Sequence, residues 1–477
     1  MDELEHLMGD DMPKKKASKQ AEKKPATKKP VKKKPTSLIT IPAFDETRKL
    51  SKAKQLSLRK EWGLQNGGAA RDGLMGGVLA AARDKFGASK VFATKAEVER
   101  LCIGIPMPSL AMEYLLANNV FPLSALVMLA GTYGAGKSTL SYEIMRWFYE
   151  LSGINVHIDT ENKFDADWCC QIMRKQDLPL PFIPNRATSL EEMQDLLTHY
   201  LKAVKDKLKG TAAEPGPGNT IPCAFVVDSL AAAASATIQD KIFKEGHATR
   251  AHPVNALLNT HYLQAVKKLI TGLPFTLVVV NHKKKKTDQN GITTEHTLGG
   301  EAYNFHESFQ IDVEGMKSQF KNSQFAGRYI RLKCSKNSFG PAHRRIMTRL
   351  IWYKAEVEVE NEQGELEYKE QDQAFWDWDW ATIRLLHDAV GDDAARLKNM
   401  GLSCTWKSPK ADVECLVNMP ALGMAKSDWL PWQEAGKMIS ENPEVTDRIR
   451  QAMGIKGRRQ LDKAYDDIEQ EYREDVS

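Results

Sequence analysis

The sequence predicts an α/β protein with a mostly parallel sheet flanked by helices, and three observations carry this prediction. The stretch Gly131 to Ser138, GTYGAGKS, matches the phosphate-loop pattern G-x-x-x-x-G-K-[ST]. An apolar run (125–130) precedes this loop, and a run with helical spacing (139–150) follows it. Strand and helix patterns then alternate from 120 to 313, and the strands are continuous apolar runs. Such runs are typical of parallel strands that helices cover on both faces.

The remaining elements of this core follow from the same reasoning. A capping-box pattern at Ser189 starts one helix, and a second helix is expected over about 254–270. Lys209 to Thr220 is a Pro- and Gly-rich surface insertion. The further candidate strands are INVHID (154–159), CAFVVD (223–228), FTLVVVN (275–281) and SFQIDV (308–313).

The chain changes character after Gly327. GRYIRLKC and RRIMTRLIWYK are predicted to form paired strands, with a hairpin tip at ENEQGELEYK and mixed helices after the aromatic cluster FWDWDW. Before the core, Asp72 is expected to cap a helix that ends at Gly87, and a short strand-like piece follows at Lys90 to Ala93. The predicted divisions are a disordered lysine-rich tail (1–44), an N-terminal helical oligomerisation segment (45–119), a nucleotide-binding core (120–355), a small C-terminal α+β domain (356–462) and an acidic tail (463–477).

Composition limits the class of protein. The chain has 477 residues, of which 42% are hydrophobic and 27% charged, as in globular proteins with a large core. No apolar stretch approaches the ~20 residues of a membrane span, and no secretory signal follows the first basic residues. The seven cysteines include no C-x-x-C pair, which favours a reducing compartment and no zinc site. We therefore expect a cytoplasmic protein without membrane contact.

The net charge of +5 is concentrated in the N-terminal tail. Met1 to Thr36 holds eleven lysines and six acidic residues, and the rest of the chain is balanced. Such a composition cannot bury enough apolar surface to fold alone. Three interpretations stay open: an electrostatic tether for DNA or an acidic partner, a solubilising tail, and a nuclear signal.

The phosphate loop predicts a Mg²⁺–triphosphate site. Glycines let the backbone approach the phosphates, and the N-terminus of the following helix attracts the anion. Lys137 is expected to reach the β- and γ-phosphates, and Ser138 to hold Mg²⁺. The expected nucleotide-binding residues here are Gly131, Thr132, Tyr133, Gly134, Ala135, Gly136, Lys137, Ser138 and Thr139.

Polar residues end three neighbouring candidate strands. Asp228 is expected to order the Mg²⁺ shell, as in a Walker-B strand. Glu161, rather than Asp159, is expected to orient or activate water at the γ-phosphate. Asn281-His282 lies where a polar side chain can sense the nucleotide, so we count His282 with Glu161 and Lys137 as catalytic.

A basic stretch directly follows Asn281-His282 in the sequence. Lys283, Lys284, Lys285 and Lys286 begin a segment that continues as the Gly-bearing TDQNGITTEHTLGG, which we expect to be a flexible loop. These lysines are predicted to contact the backbone of a nucleic acid, although a solvated charge run is the usual alternative. A second loop, Ala231 to Pro253, is expected to act with it through Lys241, Lys244, His247 and Arg250.

Taken together, these motifs resemble the RecA family of strand-exchange ATPases, and most of all its phage UvsX-type members. GLMGGVLAAARDKFG, the phosphate loop, IDTEN, VVDS, VNH and LGGEA occur in the family's order over about 70–355. The resemblance implies a RecA-like phosphate-loop fold, Glu161 as the catalytic glutamate, and 231–253 and 282–298 as the two DNA-binding loops. It also implies that Lys333 and Lys336 reach across a subunit interface to ATP. Ser338 and His282 depart from the bacterial pattern, which has a lysine and a glutamine there.

The resemblance further implies an activity and partners. ATP and Mg²⁺ bound between protomers would stiffen a helical filament around single-stranded DNA, which then pairs with homologous duplex DNA and exchanges strands. Mediator or single-strand-binding proteins are possible partners. Two other classes stay open: a hexameric replicative helicase with the same core, and a DNA-independent regulatory or packaging ATPase.

Overall fold

A computed structural model gives the fold. It describes residues 77–85, 104–175, 178, 182–208, 221–230, 232–245, 252–271, 273–287, 293–297, 306–316, 327–360, 366–389, 391–407 and 416–457. The chain divides into two compact units, Met1–Val91 and Phe92–Ser477. In the first unit the structure describes helix α1 over residues 77–85, which lies within the expected leading helix. The lysine-rich tail, the Asp72 cap and the strand-like piece at Lys90 lie outside the described residues.

The second unit begins with a strand–helix alternation that leads into the phosphate loop and beyond it. Its elements, in order, are β1 (Gly104–Pro106), α2 (Leu110–Leu116), β2 (Val120–Pro122), β3 (Ala125–Gly131), α3 (Lys137–Glu150), β4 (Ile154–Asp159), α4 (Ala166–Met173), β5 (Phe182–Arg186), α5 (Leu190–Leu208), β6 (Cys223–Asp228), α6 (Ala236–Glu245), α7 (His252–Ile270) and β7 (Phe275–Thr287). At α5, Ser189 Oγ accepts a bond from the Glu192 amide (3.1 Å), as the capping pattern predicts.

The C-terminal part contains longer strands and several short helices. Its elements are β8 (Thr293–Thr297), β9 (Phe309–Gly315), β10 (Gly327–Asn337), β11 (Arg345–Glu360), β12 (Leu366–Trp376), α8 (Trp378–Asp388), α9 (Asp392–Asn399), β13 (Thr405–Lys407), β14 (Leu416–Asn418), β15 (Leu430–Pro431), α10 (Trp432–Ser440) and α11 (Pro443–Ala452). A 3-10 turn, Pro420–Leu422, separates β14 from β15.

The central sheet confirms the predicted fold class. Its strand order is β12-β11-β10-β9-β3-β7-β6-β4-β5, and β8 pairs with β7 outside this path. The strands from β9 to β5 are all parallel, while β10, β11 and β12 continue the sheet antiparallel. The five strands predicted for the core are all present, and they place the phosphate loop at the carboxyl end of the central strand β3.

Both faces of β3 are buried, as its continuous apolar run predicts. Val127 and Leu129 join one hydrophobic cluster, and Leu126 and Met128 join the other. Successive side chains of a strand point to opposite faces, so each face of the sheet carries its own core. In the described part of the chain, no helix is long and apolar enough to cross a membrane.

Three expectations need correction. The lysine segment expected to be a flexible loop is largely strand, because β7 runs on through Thr287 and pairs antiparallel with β8. The second expected loop, 231–253, contains helix α6. The predicted boundary after residue 355 falls inside β11, and β12 pairs with β11 along its length, so the core sheet extends past that boundary.

Candidate active site

The phosphate loop has a backbone that only glycine accommodates at two positions. Gly136 has φ of 99°, in the left-handed region where side chains are strained. A Cβ on Gly131 would lie 2.3 Å from the Val313 carbonyl oxygen of β9, closer than such atoms approach. The loop therefore lies directly against the sheet, and helix α3 begins within it at Lys137, two residues earlier than expected.

Lys137 and Ser138 lie next to the predicted acidic partner. The Lys137 ammonium is nearly buried and donates to the Thr132 carbonyl (2.8 Å) of its own loop. Burial lowers the pKa of Lys137, although Asp228 and Glu161 oppose this shift. The Ser138 hydroxyl donates to Asp228 at the end of β6. The structure thus brings together the ammonium, hydroxyl and carboxylate that were predicted for this site.

The chemistry around Asp228 suits a cation. Burial, together with the nearby Glu161 and Asp159 carboxylates, raises the pKa of Asp228 to about 6, although Ser138 and Lys137 oppose this shift. A buried carboxylate with acidic neighbours gains most from a nearby positive charge. The described residues hold no cluster of three or more His, Cys, Asp or Glu side chains arranged for a metal. This donor set fits Mg²⁺, which usually takes one or two protein ligands besides water and phosphate.

Glu161 is held at the site by both of its oxygens. Its Oε1 accepts hydrogen bonds from the Ser229 hydroxyl and bonds His282 Nε2 (2.8 Å), and its Oε2 pairs with the Lys163 ammonium (2.7 Å). Burial alone would raise the pKa of Glu161, but the bonds from Lys163, Ser229 and His282 outweigh it and lower the pKa to about 2. The side chain is therefore a fixed carboxylate with every oxygen engaged.

Asp159 has a different task from Glu161. Its Oδ1 accepts from the Glu161 amide (2.9 Å), and its Oδ2 accepts from the amides of Lys163 (2.7 Å) and Phe164 (2.8 Å). These bonds close the turn after β4 and fix the direction of the side chains in it. Both oxygens of Asp159 are thus committed to backbone amides, whereas the Glu161 carboxylate is close enough to Lys137 of the phosphate loop to oppose the fall of its pKa.

His282 lies beside the phosphate loop, as the strand order requires. In the β3–β7 pairing, His282 is opposite Gly131, the first residue of the loop. The side-chain oxygen of the buried Asn281 accepts from the His282 amide (2.8 Å). His282 therefore joins Glu161 to the strand that continues into the lysine segment.

The four lysines after His282 do not share one environment. Lys283 pairs with Asp312 of β9 (2.7 Å), and 13% of its side chain is exposed, so its ammonium has an acidic partner within the chain. Lys284 is exposed. For Lys285 and Lys286 the backbone alone is placed, in the hairpin pairs with Glu295 and Thr294.

The second basic segment is only partly described. Lys241 and Lys244 lie on helix α6, and Lys244 is exposed. His247 and Arg250 lie outside the described residues.

Lys333 and Lys336 lie on β10, two strands from the phosphate loop. Lys336 is opposite Gln310 of β9, and Gln310 is opposite Met128 in the middle of β3. Lys333 is opposite Asp312, at the level of Ala130. The expected role of Lys333 and Lys336 across a subunit interface stays a prediction.

Three residues of the site escaped the sequence analysis. Ser229 and Lys163 both contact Glu161, and Arg328 of β10 donates to the Gly134 carbonyl of the phosphate loop and to Met316 O (3.2 Å). Ser229 and Lys163 are neighbours of predicted residues, so a polar side chain beside Asp228 or Glu161 is a signal that sequence offered. Arg328 had no such signal, because its partner is far away along the chain.

Fold and site together define a phosphate-loop α/β protein of the nucleoside-triphosphate-binding class. The chain is similar to the protein RecA of Nocardioides sp., with 23% identity over 279 residues, 58% of this chain and 73% of that protein. It is likewise similar to protein RecA of Kineococcus radiotolerans (23%, 60% of this chain and 75% of that protein) and of Chloroflexus aurantiacus (23%, 55% and 68%). No family model matches the chain. These similarities support a RecA-like family and an ATPase at that level.

Proposed function

We propose that this chain is an ATP-dependent homologous recombinase, of the kind expected for phage UvsX-type members. It would assemble as a helical filament on single-stranded DNA, pair that strand with homologous duplex DNA and exchange strands. One observation carries the proposal: His282 bonds Glu161 at 2.8 Å and is followed at once by the lysine-bearing β7–β8 hairpin. A movement of His282 in response to the nucleotide would therefore be passed along strand β7 to the lysines of the hairpin.

The residues of the phosphate loop would bind and orient ATP. Lys137 would pair with the β- and γ-phosphates after exchanging its bond to Thr132, and Ser138 with Asp228 would hold Mg²⁺. Bound Mg²⁺ supplies neutralisation of the phosphate charge. Glu161 would orient the attacking water, because its carboxylate acts on Lys137 of the loop and remains ionised near neutral pH.

The basic elements beside the site would bind DNA. Nonspecific affinity for a DNA backbone comes from lysines and arginines that replace its counterions. We assign this role to residues of the β7–β8 hairpin and of the α6 segment, and not to Lys283, whose ammonium pairs with Asp312. The proposed DNA-binding residues are Lys284, Lys285, Lys286, Lys241, Lys244 and Arg250.

Filament assembly would complete the site. Lys333 and Lys336 lie on β10, two strands from the strand that carries the phosphate loop of their own chain. We propose that Lys333 and Lys336 act on the ATP of a neighbouring protomer, which makes hydrolysis depend on assembly. ATP would then favour the tight filament state through contacts that only that state completes.

The test is DNA-dependent ATP hydrolysis, followed as phosphate release at several salt concentrations. We expect a variant with Lys284, Lys285 and Lys286 replaced by Ala to lose single-strand affinity and to show a shallower salt slope, by about two to three units in log–log form. Its hydrolysis without DNA should match wild type. The control replaces Lys205 and Lys207, exposed lysines of α5, and should keep the wild-type slope.

Two further results decide between the classes. Lys137→Ala should abolish hydrolysis, and residual turnover at the wild-type rate would refute the nucleotide site. Electron microscopy with single-stranded DNA and a slowly hydrolysed ATP analogue should show helical filaments. Six-membered rings would instead identify a helicase, and hydrolysis that DNA does not alter would identify a DNA-independent ATPase.

A further inference from the structure

Lys163 lies at the mouth of the site and contacts two of its parts at once. Its ammonium pairs with Glu161 Oε2 at 2.7 Å and stands 5.3 Å from the centroid of the Tyr133 ring. Tyr133 is the third residue of the phosphate loop, and 80% of it is exposed. Lys163 therefore bridges the loop that would cradle the phosphates and the carboxylate that would orient water.

The turn after β4 holds Lys163 in this place. Asp159 accepts from the amides of both Glu161 and Lys163, so the backbone between the two side chains is fixed. The side chain itself is not fixed, because 58% of it is exposed and its four-carbon stem is flexible. Water screens a pair with one exposed partner, so the bond to Glu161 is easily exchanged for another anion.

A triphosphate in the loop would offer such an anion. The Lys163 ammonium already lies close enough to Lys137 to lower the pKa of that lysine, so the two cations share one region of charge. When a terminal phosphate is added there, both cations gain a partner. Glu161 keeps its bonds to Ser229 and His282 through Oε1, so the departure of Lys163 leaves only Oε2 open.

We propose that the Lys163 ammonium of the same chain binds the terminal phosphate of the nucleotide. Its move from Glu161 to this phosphate releases Oε2 of Glu161 for water. The inference rests on the proposed ATP-dependent activity. With a diphosphate, Lys163 stays on Glu161 and the carboxylate remains closed. Lys163 is thus a positioning residue for Glu161 and a determinant of the preference for triphosphate over diphosphate.

The test compares binding of two nucleotides by titration calorimetry on the full chain with Mg²⁺: ADP and a slowly hydrolysed ATP analogue. Lys163→Met should weaken the analogue about tenfold, as expected for one charged hydrogen bond, and leave ADP within about twofold. Lys163→Arg should retain most of the preference. Lys175→Met is the matched control, because Lys175 also lies over a tyrosine ring, Tyr149, but away from the site.

A second pair of variants separates contact with phosphate from simple neutralisation of Glu161. In a Glu161→Gln background the carboxylate charge is absent, so Lys163→Met should still lower analogue affinity if the ammonium contacts the phosphate. No further loss in that background, or an equal loss for both nucleotides, would overturn the inference. Wild-type chain that binds and hydrolyses ATP in the same experiments would keep the proposed function intact, whereas wild type that binds neither nucleotide would overturn both.

Discussion

Buried polar groups are arranged in opposite ways at the phosphate-loop edge and in the aromatic region, which we define by the buried Trp376, Trp378, Trp380 and Trp432. At the phosphate-loop edge, Asp228 lies in a buried acidic environment, and one of the partners of Glu161 is the exposed, exchangeable Lys163. In the aromatic region, the buried Arg349 guanidinium pairs with Asp377 (2.7 Å) and lies between the rings of Trp380 and Trp432 (5.1 and 4.9 Å). One region keeps charges available to a ligand, and the other pairs its charges internally.

Helix α3 connects the two regions. It begins in the phosphate loop at Lys137, and its buried Glu143 accepts the indole N–H groups of Trp147 (3.0 Å) and of Trp378 in α8 (2.8 Å). Arg146 completes the carboxylate with bonds to both oxygens. A fully bonded buried carboxylate is a rigid anchor. The aromatic region therefore holds helix α3 in place. The side chains that can change partners lie near the N-terminus of α3, beside the phosphate loop.

The largest expected effect comes from removing the charge of Glu161 at the phosphate-loop edge. Glu161→Gln removes the charge that orients water but keeps the shape of the side chain, so ATP hydrolysis should fall by about 10²–10⁴-fold. Binding of a slowly hydrolysed analogue should persist, and thermal stability should change little. Single-turnover phosphate release checks the rate. The control is Glu434→Gln, an exposed position on α10, and a rate of Glu161→Gln equal to that control would contradict the role.

The next largest effect comes from breaking the buried Arg349–Asp377 ion pair in the aromatic region. Arg349→Met leaves the Asp377 carboxylate buried and unpaired, so the free energy of unfolding should fall by about 3–5 kcal/mol. Urea unfolding measures this loss. Adding Asp377→Asn removes the stranded charge yet keeps an oxygen to cap α8 through the Trp380 amide, so the double variant should recover part of the loss. A double variant as unstable as the single one would show that the charge is not the cause.

The sequence predicted the phosphate-loop edge better than the aromatic region, because the edge is built from local patterns. A glycine loop between an apolar strand and a helix, and acidic residues at strand ends, are each contiguous in the chain. The observed strand order places β6, which ends at Asp228, beside β4, whose following turn carries Glu161, with β7 between β6 and the strand of the loop. The contacts that define the aromatic region, such as Glu143 with Trp378, join residues far apart in sequence and have no periodicity to reveal them.

The lysine segment illustrates the remaining failure. The four lysines were predicted to lie in a flexible loop, but the backbone of β7 continues through them because β8 supplies hydrogen-bonding partners. The dipeptide Asn290-Gly291 between the two strands is a strong hairpin signal that composition alone obscured. The pairing of Lys283 with Asp312 depends on β9, which lies beyond the hairpin in sequence and two strands away in the sheet.

The smallest expected effect concerns Glu307, a buried carboxylate that lies outside both regions. Glu307 lies just before β9 and is 1% exposed, and neither of its carboxylate oxygens has a hydrogen-bond partner among the described residues. Burial, helped by Asp312, raises the pKa of Glu307 to about 8, although Lys336 and Lys283 oppose the shift. The folded state therefore binds a proton that the unfolded state releases near pH 4.5. The stability gained from this proton is fully present below about pH 4.5 and is lost as pH rises through about 8.

Glu307→Gln should remove this pH dependence, because the amide stays neutral at every pH. Between pH 5 and 8 the wild-type free energy of unfolding should fall, relative to the variant, by at most about 1.4 kcal/mol per pH unit. Urea unfolding of both proteins across this range measures the difference, and Glu434→Gln should follow wild type. Parallel curves for wild type and Glu307→Gln would mean that Glu307 is ionised and paired in the folded chain. Glu307 would then resemble Glu143 of the aromatic region. If the two stability curves diverge as expected, Glu307 instead resembles Asp228, a buried acid whose pKa is raised.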